Sequence, residues 1–135
     1  MHIYLYPFSE PVPSDAALDI VGIGNCPFMG YIYDPRVFVF LDEFLDEMRK
    51  LGIFADYFSD FFWSREHVSF LNAMINRKVD ELTEVAELDA KKKKKRNEYP
   101  LWQLKQQMDP LQTNLLTKIV REAKAKDAGL IGLCD

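Results

Sequence analysis

At 135 residues and 48% hydrophobic side chains, the chain has the length and apolar content of one ordinary globular domain, which argues against disorder over its whole length. Cys26 and Cys134 form no C-x-x-C pair and no run approaches the ~20 apolar residues of a membrane helix, so the reading is a soluble cytoplasmic protein with reduced thiols. The net charge of −4 conceals an asymmetry: residues 1–90 hold 16 acidic and 6 basic side chains, whereas residues 91–135 hold 5 and 11, a balance that makes nucleic acid and anionic membrane poor partners for the first part.

In chain order, Ile3 and Leu5 alternate with Tyr4 and Tyr6, which suits a short strand ended by Pro7. Pro7, Pro11 and Pro13 exclude regular structure until Ser14-Asp15, a candidate cap for a short helix through Ala16, Ala17, Leu18 and Ile20. Gly22-Ile23-Gly24-Asn25 stops it, and Phe28 to Tyr33 is a candidate strand to pair with the first. Asp34-Pro35 then reads as a helix start. Val37, Leu41, Phe44, Leu45, Met48 and Leu51 recur at three- and four-residue steps, and Gly52 ends them. Residues 53–63 read as a short apolar helix with Phe54, Phe58, Phe61 and Phe62 on one side, a strand being the competing choice because aromatics favour both.

Ser64 caps a long predicted helix whose stripe is Val68, Leu71, Ile75, Val79, Leu82, Val85 and Leu88, with Lys91 to Arg96 at its end. A short helix is expected over Pro100 to Met108. Asp109-Pro110-Leu111-Gln112 has the pattern of a capping box opening another, with Leu111, Leu115, Ile119 and Val120 as its apolar face and Gly129 as its stop. The apolar tail Leu130 to Cys134 suits an edge strand. These elements add up to an α+β fold, mostly α, with about four helices and two or three short strands from the chain ends, in a single domain over 1–135.

Two clusters invite a functional reading. Asp42 and Asp46, like Glu43 and Glu47, stand four residues apart, and each like-charge pair on a helix costs about 0.2–0.5 kcal/mol. Folding does not require that clustering; a docking surface for a basic partner does use it. Residues 53–63 carry six aromatic rings beside Asp56 and Asp60, and Tyr57 and Trp63, amphipathic, suit an interface. By contrast, Lys91 to Arg96 complements a helix C-terminus and needs no nucleic acid to explain it.

Catalytic signatures are missing from the sequence: it has no H-E-x-x-H, no G-x-S-x-G and no phosphate loop, and its two histidines are His2 and His67. No cofactor or metal is expected. In size, acidity and clustered acidic–aromatic residues the chain resembles the small bacterial immunity proteins that block toxin nucleases. The resemblance is one of composition. It implies a non-catalytic inhibitor of a basic partner, whose carboxylates stand in for phosphates while rings fill the partner's cleft. Asp42, Glu43, Asp46, Glu47, Asp56, Tyr57, Asp60 and Trp63 are the expected contacts. Two alternatives stand beside it: a small enzyme or ligand-binding domain with an aromatic pocket near Tyr31, Tyr33 and Trp102, and a nucleic-acid adaptor using Lys91 to Arg96.

Overall fold

The computed structural model describes residues 1–94 and 114–134. Strand β1 (His2–Tyr6) has the alternation expected of it: Ile3 and Leu5 are buried on one face, while His2, Tyr4 and Tyr6 point to the other. It pairs antiparallel with β2 (Phe28–Tyr31), as the sequence suggests, through a bulge opposite Ile3 and Tyr4. Helix α1 (Ser14–Gly22) lies between these strands in the chain; its N-cap is Pro13, whose carbonyl accepts from the Ala16 and Ala17 amides, so Ser14 is already inside the helix.

The C-terminal strand β4 (Gly129–Leu133) corrects an expectation. It is no edge: it pairs along its whole length with β1 on one side and with β3 (Phe61–Trp63) on the other, giving the antiparallel order β2-β1-β4-β3. A strand enclosed on both sides and covered on both faces is apolar throughout, and Leu130 and Ile131 are both fully buried. Its glycines are set by close approach. A Cβ on Gly129 would overlap the Trp63 carbonyl, and one on Gly132 would overlap the Phe61 ring, which stacks on Trp63 at 4.2 Å.

Residues 35–51 are helical but not as one α-helix. Asp34 caps a ten-residue 3₁₀ segment (Pro35–Phe44) by accepting from the Arg36 amide at 3.0 Å, and α2 (Leu45–Lys50) follows, ended by Gly52 at φ +70°. Three residues per turn stack positions i and i+3, and it is Phe38, Leu41 and Phe44 that are buried, together with Met48. Leu45 and Leu51, expected inside, are exposed.

Residues 53–60 are a loop, not the predicted helix. The strand β3 after it divides the rings by the two-residue alternation of a strand: Phe61 and Trp63 enter the main core, Phe62 faces the other way, and Phe54 and Phe58 are left exposed. Ser64 then caps the long helix α3 (Arg65–Lys94), its Oγ accepting from the His67 amide at 3.2 Å. Val68, Leu71 and Ile75 are wholly buried. Burial fades along the rest of the stripe until Val85 and Leu88 are exposed. Helix α4 (Leu115–Ala125) is capped by Asn114, buries Leu116, Ile119, Val120 and Ala123, and stops before Lys126, short of Gly129. The predicted helix over 100–108, the Asp109 cap, Leu111 and Trp102 fall outside the described residues.

The sheet therefore has an inner and an outer face. Helices α3 and α4 and the 3₁₀ segment cover the inner one, around Ile3, Leu5, Phe61, Trp63 and Leu130. On the outer one, α1 covers only part, where Tyr6, Ala17, Cys26 and Ile131 form a small second core flanked by Val12, Ile20, Val21 and Phe62. The architecture is α+β.

Candidate functional site

The eight residues singled out by sequence do not form one patch. Glu43 is held by Lys78 at 2.9 Å and Glu47 by Arg77 at 3.3 Å, both cations coming from α3, while Asp46 meets Arg49 at 4.0 Å. Asp42 is exposed and makes no ion pair among the described residues. The like-charge repulsion that a docking function would explain is thus already offset inside the chain. Asp56 is used by its own loop, accepting from the Phe58 amide at 3.0 Å and the Ser59 hydroxyl at 3.4 Å. Asp60 accepts from the Cys134 amide at 2.6 Å, which fastens the loop to the end of β4. Tyr57 is half-buried against Phe38. Trp63 is fully buried, its indole N–H donating to the Phe54 carbonyl at 2.7 Å, so it is a core residue and not a contact.

The row of exposed rings lies instead on the outer side of the sheet. Across β1 and β2 the rings of His2, Tyr4, Phe28 and Tyr31 meet one another at 4.7–6.5 Å, and Tyr33 extends the row beside Tyr31. Phe28 is 56% exposed and Tyr33 79%. Residues 1–35 contain neither lysine nor arginine, yet they hold Glu10, Asp15 and Asp19, all exposed. Asp34, the remaining acid of that stretch, is taken up by Arg36, whose hydrogen bonds hold its carboxyl below the usual range. The signal present in the sequence was a missing charge, not a cluster of charges.

Beside α1 the loop after β1 and the first turn of α3 enclose a cleft of about 550 Å³, within the range of small-ligand sites. Its apolar walls are Tyr6, Phe8 and Phe62 together with Val12 and Pro13. Tyr6 packs edge-on against Phe8 at 5.2 Å and Phe62 at 4.8 Å, and its hydroxyl donates to the Glu10 carbonyl at 2.8 Å, which fixes the loop. Arg65 closes one side, bonding the Asp127 carboxylate at 3.1 Å and the Ser9 carbonyl at 3.3 Å. Glu10, Glu66 and His67 complete the lining, and His67 Nδ1 is buried without a partner among the described residues. Beneath the cleft, burial pushes the Tyr6 hydroxyl above its ordinary pKa, helped by the nearby Cys26 and Glu10, and burial does the same to the Cys26 thiol.

This cleft is not the aromatic pocket expected near Tyr31 and Tyr33. Of the Lys91 to Arg96 run, Lys91 to Lys94 form the last turn of α3 and the other two lie outside the described residues. Among the described residues no group of three His, Cys, Asp or Glu is placed to hold a metal ion, and no helix is long and apolar enough to cross a membrane. Comparison with protein-family models, curated protein sequences and solved structures finds no match to this chain.

Proposed function

We propose that the chain is a non-catalytic protein-binding module for a basic protein, an inhibitor of the immunity type, and that it binds through the outer side of its sheet. The observation that carries this reading is that residues 1–35 present exposed Phe28, Tyr31 and Tyr33 and the exposed acids Glu10, Asp15 and Asp19 without a single lysine or arginine among them. Aromatic side chains supply contact area at low entropic cost, and uncompensated carboxylates steer a cationic partner and select against anionic ones. Asp42 adds to the negative field, whereas Glu43, Asp46 and Glu47 contribute only by exchanging their cations. Those exposed pairs are worth about 0–1 kcal/mol each, little enough to exchange.

The test is affinity capture from native lysate, run in parallel with the wild type and with a variant carrying Asp15→Asn and Asp19→Asn, followed by titration of the purified pair. The expected partner is a basic protein whose activity is blocked on binding. Its affinity should fall about tenfold or more between low and physiological salt, and also in the variant. A neutral or acidic partner, or equal affinity for both proteins at every salt concentration, overturns the reading.

A further inference from the structure

The cleft between the proline-rich loop and α3 differs from the rest of the outer side in being concave, with two carboxylates at an aromatic wall. Besides Tyr6, four ionisable side chains line it: Glu10, Arg65, Glu66 and His67. The Arg65 guanidinium already serves Asp127 and the Ser9 carbonyl, so its charge is offset within the fold. Glu10 and Glu66 make no ion pair among the described residues and both are exposed. The charge in the lining that is not offset is that of Glu10 and Glu66, beside the rings of Tyr6, Phe8 and Phe62.

We infer that this cleft is a receptor for a guanidinium group on an apolar stem, namely an arginine side chain of the basic partner, a step that rests on the proposed function. The chemistry fits in three respects. Aromatic faces attract a cation and stack with a planar guanidinium better than with an ammonium. Carboxylates accept its forked N–H donors, and Glu10 and Glu66 supply two to the lining. Pro11 and Pro13 restrict the loop, and the Tyr6 hydroxyl and Arg65 guanidinium tie its backbone down, so little ordering is left to be done on binding. A carboxylate ligand, by comparison, would meet Glu10 and Glu66 and compete with Asp127 for Arg65.

The experiment is an NMR titration of the full chain with N-acetyl-arginine amide, using N-acetyl-citrulline amide as the uncharged isostere and free arginine as the metabolite form. Saturable shifts centred on Phe8, Phe62 and Ser64 to His67 are expected with the arginine amide. The citrulline amide, and a Glu10→Gln/Glu66→Gln variant given arginine amide, should each bind about tenfold more weakly. Equal binding of citrulline, wild-type affinity in the double variant, or saturable shifts elsewhere would each refute the site. Tighter binding of free arginine would refute a partner side chain as the occupant. If the amide binds as expected but no basic protein is captured, the module reading fails and the cleft stands. If a basic partner binds the double variant normally, the cleft fails and the module stands.

Discussion

Trp63 shows how much one residue's role depends on the element it joins. In sequence it closes a run of rings and acids and has the amphipathic character of an interface residue; in the structure it is the largest fully buried side chain among the described residues. The three residues of β3 are too few for alternation to be distinguished from a helical stripe, and aromatic rings suit both. Its replacement by alanine removes the stack on Phe61 and leaves a cavity, and should cost about 3–5 kcal/mol in urea unfolding. Trp63→Phe keeps a ring in place and removes only part of the packing and the bond to the Phe54 carbonyl. It should cost about 1–3 kcal/mol. If the two substitutions cost the same, the indole N–H and not the packing would hold the loop. Asp60 was similarly hidden: its bond to the Cys134 amide joins residues 74 apart, and no local pattern announces such a contact.

Among elements, those with a local cause were readable and those whose limits depend on neighbours were not. Ile3 and Leu5 in β1, the Asp34-Pro35 start, the Gly52 stop and the Ser64 cap each follow from a residue and its immediate surroundings. The apolar residues of the 3₁₀ segment satisfy the α repeat as well; only the burial of Phe38, with Leu41 and Phe44 at further steps of three, separates the two. The apolar tail that forms β4 suits an edge equally well, because its position between β1 and β3 is a property of the sheet order. Asn114 illustrates a cap with a tertiary duty. Its side-chain oxygen accepts from the Thr117 amide at 3.2 Å, and its Nδ2 donates to the Val37 carbonyl at 2.9 Å, linking α4 to the 3₁₀ segment. Asn114→Ala removes both and should lower stability by about 1–2 kcal/mol. Asn114→Asp keeps the cap and loses only the donor, so its melting temperature should fall between those of the wild type and the alanine variant. An aspartate variant as unstable as the alanine one would place the whole effect in the bond to Val37.

For the molecule as a whole, the two faces of the sheet carry different chemistry. The inner face is hydrocarbon, but the outer cluster under α1 contains two groups that ionise in alkali, the Tyr6 hydroxyl and the Cys26 thiol, both buried. The candidate surface was only partly legible for a related reason: the row of exposed rings arises when β1 and β2 pair, and no one segment contains it. Burial raises both pKa values, so the folded protein keeps its protons while the unfolded chain releases them. The unfolded state then binds fewer protons, and stability must decline as pH rises. The contribution is complete below the unfolded thiol value near ~8.5 and is lost as pH climbs past it, with the tyrosine adding to the loss from about 10 upward. Urea midpoints measured from pH 7 to 10.5 should therefore hold steady and then fall. Cys26→Ala should remove the first part of the decline and leave the later part, because Tyr6 remains. A profile for Cys26→Ala that matches the wild type would mean that this thiol is as solvated in the fold as in the unfolded chain, and that α1 does not seal the outer cluster from water.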